Sequence, residues 1–436
     1  MQKLKAEESE LQDGAEMTRK AKRPRAIIMA PTRELATQIL SVVKHLSHSC
    51  KLSSVGIIGG DDMGKQRRAL DKQLDIVVGT PGRLLKHRED GNFYLGSVSS
   101  IVIDETDTML EQGFQADIAK LVHPCLYEKG KEASRALRDT APQVVLTTAT
   151  MTPAVRRLLE NEQSKKKSYA RRFESKDSED AGATIKLPPD MKLLEAAGLH
   201  RAVPRLRQVF IDVGSSDKLT LLSDIVHGGG GGGGRKGNSK DDALTMVFCN
   251  TVQSSRAAEH ALAESGIESL GYHGELNSAL RAQNLKAFRE RDGCNVLVCT
   301  DMAARGLDIP NVDHVVMFDF PLNSIDYLHR AGRTARGVND VGAKGSVTAL
   351  VAKRDKVLAT AIERAVIRGD PLDSLSSRKS DYRPGGKLSR QLGGRKDRAV
   401  ASRDAARDKR RSGSGGGKKV GGKQHRRSTG RRSSTR

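Results

Sequence analysis

Short apolar runs bounded by polar turns recur along two stretches of this chain, and each is followed by residues whose apolar positions repeat at helical spacing. Residues 26–30 (Ala-Ile-Ile-Met-Ala) form one such run; Pro31-Thr32-Arg33 turns, and Leu35, Ile39, Val42, Val43 and Leu46 then recur at helical spacing. Runs at 54–58, 75–78, 100–103 and 143–146 predict the other strands of a first unit. A second series has strands expected at 207–213, 245–249, 269–272, 295–299, 314–318 and 346–351. Strands alternating with helical segments in this way predict two α/β domains, each with a parallel sheet.

Between the two series the chain is charged and irregular, with Lys165-Lys166-Lys167, Arg171-Arg172 and Pro188-Pro189, and it reads as an exposed insertion and linker. An uninterrupted glycine run, Gly228 to Gly234, opens a flexible surface loop at 228–242 and is given no catalytic role. The expected organisation is a charged N-terminal remnant at 1–24, a first domain at 25–160, the linker at 161–203, a second domain at 204–375 and a tail at 376–436. Of the formal charge of +22 the tail holds +17, from 21 Lys and Arg against four Asp. It is rich in Gly and Ser and nearly without large apolar residues, so it is expected to be disordered. Five cysteines without a CxxC pair suggest neither a disulfide framework nor a zinc site. No run approaches the length of a membrane span and no signal-peptide core opens the chain, so no membrane association is expected.

Candidate chemistry gathers at strand ends. Asp104 and Glu105 close the run at 101–103, and ligands of parallel sheets bind beyond the carboxyl ends of the strands. Carboxylates there suit a magnesium nucleotide: one holds Mg²⁺ through water and its neighbour orients or deprotonates the attacking water. In order, the first unit also carries Pro31-Thr32-Arg33-Glu34-Leu35-Ala36, Gly59-Gly60, Thr80-Pro81-Gly82-Arg83, Asp104-Glu105-Thr106-Asp107 and Thr148-Ala149-Thr150. The second carries Val247-Phe248-Cys249-Asn250-Thr251, Thr300-Asp301-Met302-Ala303-Ala304-Arg305-Gly306-Leu307-Asp308 and His329-Arg330-Ala331-Gly332-Arg333-Thr334-Ala335-Arg336. Over residues of about 25 to 370 this ordered set resembles the DEAD-box ATP-dependent RNA helicases.

The resemblance implies two RecA-like domains, the first incomplete in this chain, that close on ATP and a single RNA strand. It implies that Asp104 holds Mg²⁺ through water and that Glu105 acts on the attacking water. Arg333 and Arg336 would be arginine fingers reaching the γ-phosphate, and Asp308 would meet the nucleotide ribose. Asp107, Thr148, Thr150 and His329 would couple the domains. Arg33, Gly60, Thr80 and Arg83 in the first domain, with Arg281 and Thr300 in the second, would contact the RNA backbone, which such groups do without reading bases. Thr106 stands in place of alanine in the acidic motif, Thr148 in place of the usual serine, and Ser278 where glutamine would precede Arg281.

One departure is larger. A strand followed by GxxxxGK[ST] belongs upstream of Pro31-Thr32-Arg33, with a glutamine motif for adenine before it, and neither precedes that segment here. The chain therefore reads as beginning inside the first domain, with a central strand missing. Residues 59–65 match GxxxxGK after a strand, yet Gln66 stands where Ser or Thr is required, and they read as a decoy. The expected function is an RNA helicase that couples ATP hydrolysis to duplex unwinding or RNP remodelling; the alternative is a nucleotide-independent RNA-binding or annealing protein. The string Val315-Val316-Met317-Phe318-Asp319-Phe320-Pro321-Leu322-Asn323-Ser324 is similar to plant and algal organellar members. It points to chloroplast or mitochondrion and to ribosomal RNA, with nucleus or nucleolus as the alternative suggested by the basic tail.

Overall fold

The computed structural model describes residues 1–9, 20–127, 142–165, 185, 187–188, 191–196, 206–228, 243–304, 309, 312–334, 345–372 and 375. A compact unit spans Met1–Lys379. Arg336, Asp308, the Gly-rich loop from residue 229 and the tail from residue 376 lie outside the described residues.

The first sheet is built from β1 (Ala26–Met29), β2 (Ser54–Ile57), β3 (Ile76–Gly79), β4 (Ser100–Ile103) and β5 (Gln143–Leu146), in the order β2-β3-β1-β4-β5. The second is built from β6 (Arg207–Asp212), β7 (Thr245–Cys249), β8 (Leu270–Tyr272), β9 (Val296–Thr300), β10 (His314–Met317) and β11 (Ser346–Val351), in the order β6-β11-β10-β7-β9-β8. Every neighbouring pair is parallel. All eleven strands lie within one residue of the expected bounds. The interior strands β3, β7, β9 and β10 are buried along their whole length, which is why they read as unbroken apolar runs.

The helices are α1 (Gln2–Ser9), α2 (Arg33–Cys50), α3 (Met63–Leu70), α4 (Pro81–Glu89), α5 (Thr106–Glu111), α6 (Gln115–Tyr127), α7 (Pro153–Lys165), α8 (Lys218–His227), α9 (Val252–Glu264), α10 (Ser278–Glu290), α11 (Asp301–Ala304), α12 (Ser324–Ala331) and α13 (Lys356–Arg368). Several begin on a side-chain cap. Thr32 accepts from the Leu35 amide, Asp62 from Lys65, Thr251 from Ser254, Asn277 from Leu280 and Asn323 from Asp326. Strand, capped turn and helix thus repeat as one unit, and each places its turn at the carboxyl end of the strand.

Two expectations about boundaries give way to packing. Residues 1–24 are more than a charged remnant, because Leu4 of α1 is buried with Ala26, Leu35, Ala36 and Val43. Ile185 and Leu187, from the stretch read as linker, are buried with Ile27, Ile101 and Val122, because apolar side chains in a charged segment still find the nearest core. At the amino ends of the strands, Arg25 is buried and pairs with the fully buried Asp75 at 3.1 Å. A second Asp75 oxygen accepts the Ser53 amide at 2.7 Å, and Arg25 also donates to the Leu4 carbonyl, so one ion pair ties α1, β1 and β3 together. The candidate functional side chains gather at the opposite, carboxyl ends.

Candidate functional site

In the first sheet the chain runs from β1 outward to β2 and back to β3, then crosses to β4 on the other side of β1. The crevice beside such a reversal is where parallel α/β sheets bind ligands. Asp104 lies there. Its Oδ1 accepts the Glu105 amide at 3.0 Å and the Thr147 hydroxyl at 2.5 Å. Thr147 is itself held on both sides, its amide on the Ile103 carbonyl at 3.0 Å and its carbonyl on the Thr106 amide at 2.9 Å. Glu105 has φ +48°, a left-handed conformation that costs a non-glycine residue roughly 1–2 kcal/mol and is kept where surrounding structure enforces it. Here it ends β4, begins α5 and accepts the Thr108 hydroxyl on Oε2 at 3.1 Å. Neither threonine hydroxyl stands out in the sequence.

Asp107, in the first turn of α5, is buried. It accepts the Thr150 hydroxyl and the Thr108 amide, the latter at 2.9 Å. His329 Nε2, from α12 of the second domain, stands 3.5 Å from Asp107 Oδ2. Burial alone would raise the Asp107 pKa; the hydrogen bond and charge of His329, with Thr150 and the Thr108 amide, outweigh it and hold the carboxyl below its ordinary value. Thr148 donates to the Thr150 carbonyl at 2.8 Å and fixes the turn that aims Thr150. Asp107, Thr148, Thr150 and His329 are therefore one connected group.

In the turn just past the end of this helix, Arg333 is buried and its Nε donates to the His329 carbonyl at 3.1 Å. Arg330, which nothing in the sequence singles out from its motif, is 1% exposed. It grips both Asp301 oxygens at 2.6 and 2.5 Å, Asn250 Oδ1 at 2.5 Å and the Asp319 carbonyl at 2.5 Å. It thereby joins the turns after β7, β9 and β10 to α12.

The backbone-binding candidates of the first domain meet at the ends of β1, β2 and β3. The Arg33 guanidinium lies over Gly59 and Gly60; a Cβ on Gly60, which has φ +91°, would come within 2.5 Å of Arg33 Nη1. Arg83 Nη2 donates to the Asp61 carbonyl at 3.2 Å. Thr80 precedes Pro81 at the start of α4, and its hydroxyl makes no capping bond. In the second domain Thr300 ends β9, buried, while Arg281 is engaged elsewhere: its Nε and Nη2 both lie 3.2 Å from Oε1 of Glu34 in the first domain. The resemblance implies an RNA contact for Arg281; here it is an interdomain ion pair. Arg336 and Asp308 are outside the described residues.

Residues 59–65 do not form a phosphate cradle. Asp62 caps α3 through the Lys65 amide at 2.6 Å, placing a carboxylate on a helix start that a phosphate would need. The Gln66 side chain is buried on the Ile58 carbonyl, and Arg33 covers both glycines. Among the described residues no group of three or more His, Cys, Asp or Glu side chains is placed to hold a metal ion by itself, and no helix is long and apolar enough to cross a membrane. The five cysteines are free thiols.

Two family models match the chain, the DEAD/DEAH box helicase over residues 8–158 and the helicase conserved C-terminal domain over residues 217–338. DEAD-box ATP-dependent RNA helicase 39 of Arabidopsis thaliana is 41% identical over 372 residues, 84% of this chain and 52% of its own length. The chain belongs to the DEAD-box helicase family. Similarity within the family extends to ATP-dependent RNA helicase dbp3 of Neosartorya fischeri, 34% identical over 80% of this chain and 61% of that protein. It also extends to DEAD-box ATP-dependent RNA helicase CshA of Bacillus subtilis, 32% identical over 79% and 58%. The chain thus spans about half to three-fifths of the length of these relatives. Among solved structures, S. cerevisiae Dbp5 bound to RNA and ADP BeF3 aligns with TM-score 0.59 and 26% identity, covering 79% of this chain and 76% of that one. Both sheets of this DEAD-box chain are RecA-like in that comparison.

Proposed function

We propose that the chain is the two-domain part of an ATP-dependent RNA helicase, which couples ATP hydrolysis to local unwinding of RNA or remodelling of RNP. The observation that carries this reading is the link from His329 on α12 to Asp107 and Thr150, which ties the arginine-bearing helix of one domain to the acidic motif of the other. A site divided between two domains is completed by closure, so turnover is gated by whatever brings the domains together.

The acidic site suits a hydrated magnesium ion, since Asp104 offers a hard oxygen donor whose plane is fixed by Thr147 and the Glu105 amide. Magnesium, when bound with ATP, would neutralise charge on the phosphates. Asp104 would hold it through water. Glu105 would take the proton of the attacking water, and Arg333 with Arg336 would meet the negative charge that grows on the γ-phosphate. Asp308 would meet the ribose. Arg33, Gly60, Thr80 and Arg83 would hold the RNA backbone on the first domain and Thr300 on the second, where Arg281 would exchange Glu34 for phosphate or keep the domains in register beside it.

A second reading, nucleotide-independent RNA binding or annealing by residues 1–436, draws on the failure of residues 59–65 to offer a phosphate cradle. The two readings are separated by strand displacement. A version carrying an upstream phosphate-binding segment should displace a short RNA strand only with ATP; displacement or annealing indifferent to nucleotide would favour the second reading. The further proposals of ribosomal RNA as substrate and of chloroplast or mitochondrion as location rest on the plant-organellar character of residues 315–324, supported by the likeness to an Arabidopsis protein. A fluorescent fusion found in the nucleolus would refute the organelle.

A further inference from the structure

Beneath the Gly59-Gly60 and Thr80–Arg83 turns lies a chain of buried polar side chains that the roles above do not use. Gln66 on α3 is 5% exposed, His87 on α4 is fully buried and Asn92, just after α4, is 9% exposed. Gln66 Nε2 donates to the Ile58 carbonyl at 2.7 Å, which turns Gln66 Oε1 toward His87 Nε2 at 2.9 Å. An amide oxygen only accepts, so His87 carries its proton on Nε2. His87 Nδ1 is then an acceptor, met by Asn92 Nδ2 at 3.2 Å. The direction of every bond is forced from one end: Asn92 to His87 to Gln66 to the Ile58 carbonyl. Burial, with Arg83 and Lys86 nearby outweighing Asp90, lowers the His87 pKa and favours the neutral ring this order requires.

The two ends of this chain explain its use. Ile58 immediately precedes Gly59-Gly60, and α4, which carries His87, begins at Thr80–Arg83. Asn92 is itself fixed, its amide donating to the His87 carbonyl at 2.9 Å. Turns that bind a phosphate backbone act through their relative position, and misplacement of a binding group by an ångström is expensive. A fully satisfied buried network is one way to fix such a distance, since breaking any member leaves its neighbours unpaired in a low dielectric.

We propose that Gln66, His87 and Asn92 form a positioning brace that sets the spacing between the two RNA-backbone turns of the first domain. The brace rests on the reading that Gly60, Thr80 and Arg83 contact RNA. It gives a use to the residue that disqualifies residues 59–65 as a phosphate loop: Gln66 spends its side chain inward, on RNA geometry.

The test is a titration of residues 1–436 with an unstructured oligouridylate at several salt concentrations, for the parent, Gln66→Leu, Asn92→Ala, His87→Gln and Arg83→Ala. Thermal melts accompany each titration. Gln66→Leu and Asn92→Ala should weaken binding by roughly three- to tenfold and reduce the slope of log K against log salt by about 0.7 for each phosphate no longer neutralised. His87→Gln, which can both donate and accept, should weaken binding less than Gln66→Leu or Asn92→Ala. If Arg83→Ala lowers the slope while Gln66→Leu and Asn92→Ala lower only the melting temperature, the three residues are structural and the brace is wrong. If Arg83→Ala leaves affinity and slope unchanged, the RNA reading of these turns fails and the brace falls with it. Should Gln66→Leu not fold, Asn92→Ala, which leaves the Gln66 bond to Ile58 intact, decides alone.

Discussion

Removing Asp301 should unsettle the second domain more than any exposed acid would, because the buried Arg330 cation depends on it. The guanidinium is 1% exposed and sits 5.5 Å from the centre of the Phe248 ring, and Asp301 meets it with both carboxylate oxygens. Burial would lower the Arg330 pKa, and the charge and hydrogen bonds of Asp301, with the charge of Asp326, more than offset this, so the cation leans chiefly on Asp301. Breaking a buried pair from one side costs about 3–5 kcal/mol. Asp301 is 26% exposed, so water recovers part of the loss and the lower end, about 3 kcal/mol, applies to Asp301→Ala. Arg330→Met should cost a similar amount, but Asp301→Ala with Arg330→Met should cost less than the sum by about 2 kcal/mol, because the double change leaves neither charge unpaired. With two domains in the chain a single unfolding midpoint is a poor gauge, so the assay is hydrogen exchange of the β7 and β9 amides, whose opening reports this sheet. Additive single and double changes, or an Asp301→Ala effect below about 1 kcal/mol, would refute the reasoning.

Three further tests address other parts of the structure. His314 is 3% exposed with its Nε2 on Thr348, and burial pushes its pKa down to about 4 from 6.5. The unfolded chain therefore takes up a proton that the folded one refuses, and stability should fall as pH drops from 6.5 to 4, by about 3 kcal/mol in all, and level off below; His314→Gln should remove that slope, as pH-dependent exchange of β10 and β11 would show. Burial pushes the Cys249 thiol up to about 12 and raises Cys294 and Cys299, so at about pH 8 a thiol reagent should spare these three until denaturant is added; rapid native labelling of Cys249 would contradict its burial. Removing residues 376–436, with their +17 charge, should weaken binding of all RNA sequences alike and flatten the salt dependence by about 0.7 per phosphate released; equal slopes would exclude the tail from RNA binding.

The strands are legible in the sequence because a strand buried on both faces leaves one mark, an unbroken apolar run, and β3, β7, β9 and β10 carry little else. The acidic motif is legible because local spacing places Asp104 and Glu105 at a strand end and Asp107 one turn further on. Partners distant in sequence are not. Glu34 as a partner of Arg281 appears only once the fold brings the two together across 247 positions. Thr147 gives no sign in sequence that its hydroxyl will hold Asp104, because that depends on β5 lying beside β4 in one register. Leu4 and Ile185 are hidden by their charged surroundings, although burial depends on what lies across the fold. Gln66 stands out in sequence only as a mismatch to the phosphate-loop pattern; its bonds to Ile58 and His87 appear once α3 and α4 are packed.

The most direct measurement is ATP turnover with and without single-stranded RNA, on residues 1–436, on a version carrying an upstream phosphate-binding segment, and on that version with Glu105→Gln. The extended protein should hydrolyse ATP in response to RNA, and Glu105→Gln should slow it by orders of magnitude while retaining ATP and RNA binding, since the change preserves size and removes the proton acceptor. Residues 1–436 alone should show no such turnover. Unchanged hydrolysis in Glu105→Gln, or robust RNA-stimulated hydrolysis by residues 1–436 that Lys65→Ala abolishes, would contradict the mechanism proposed above.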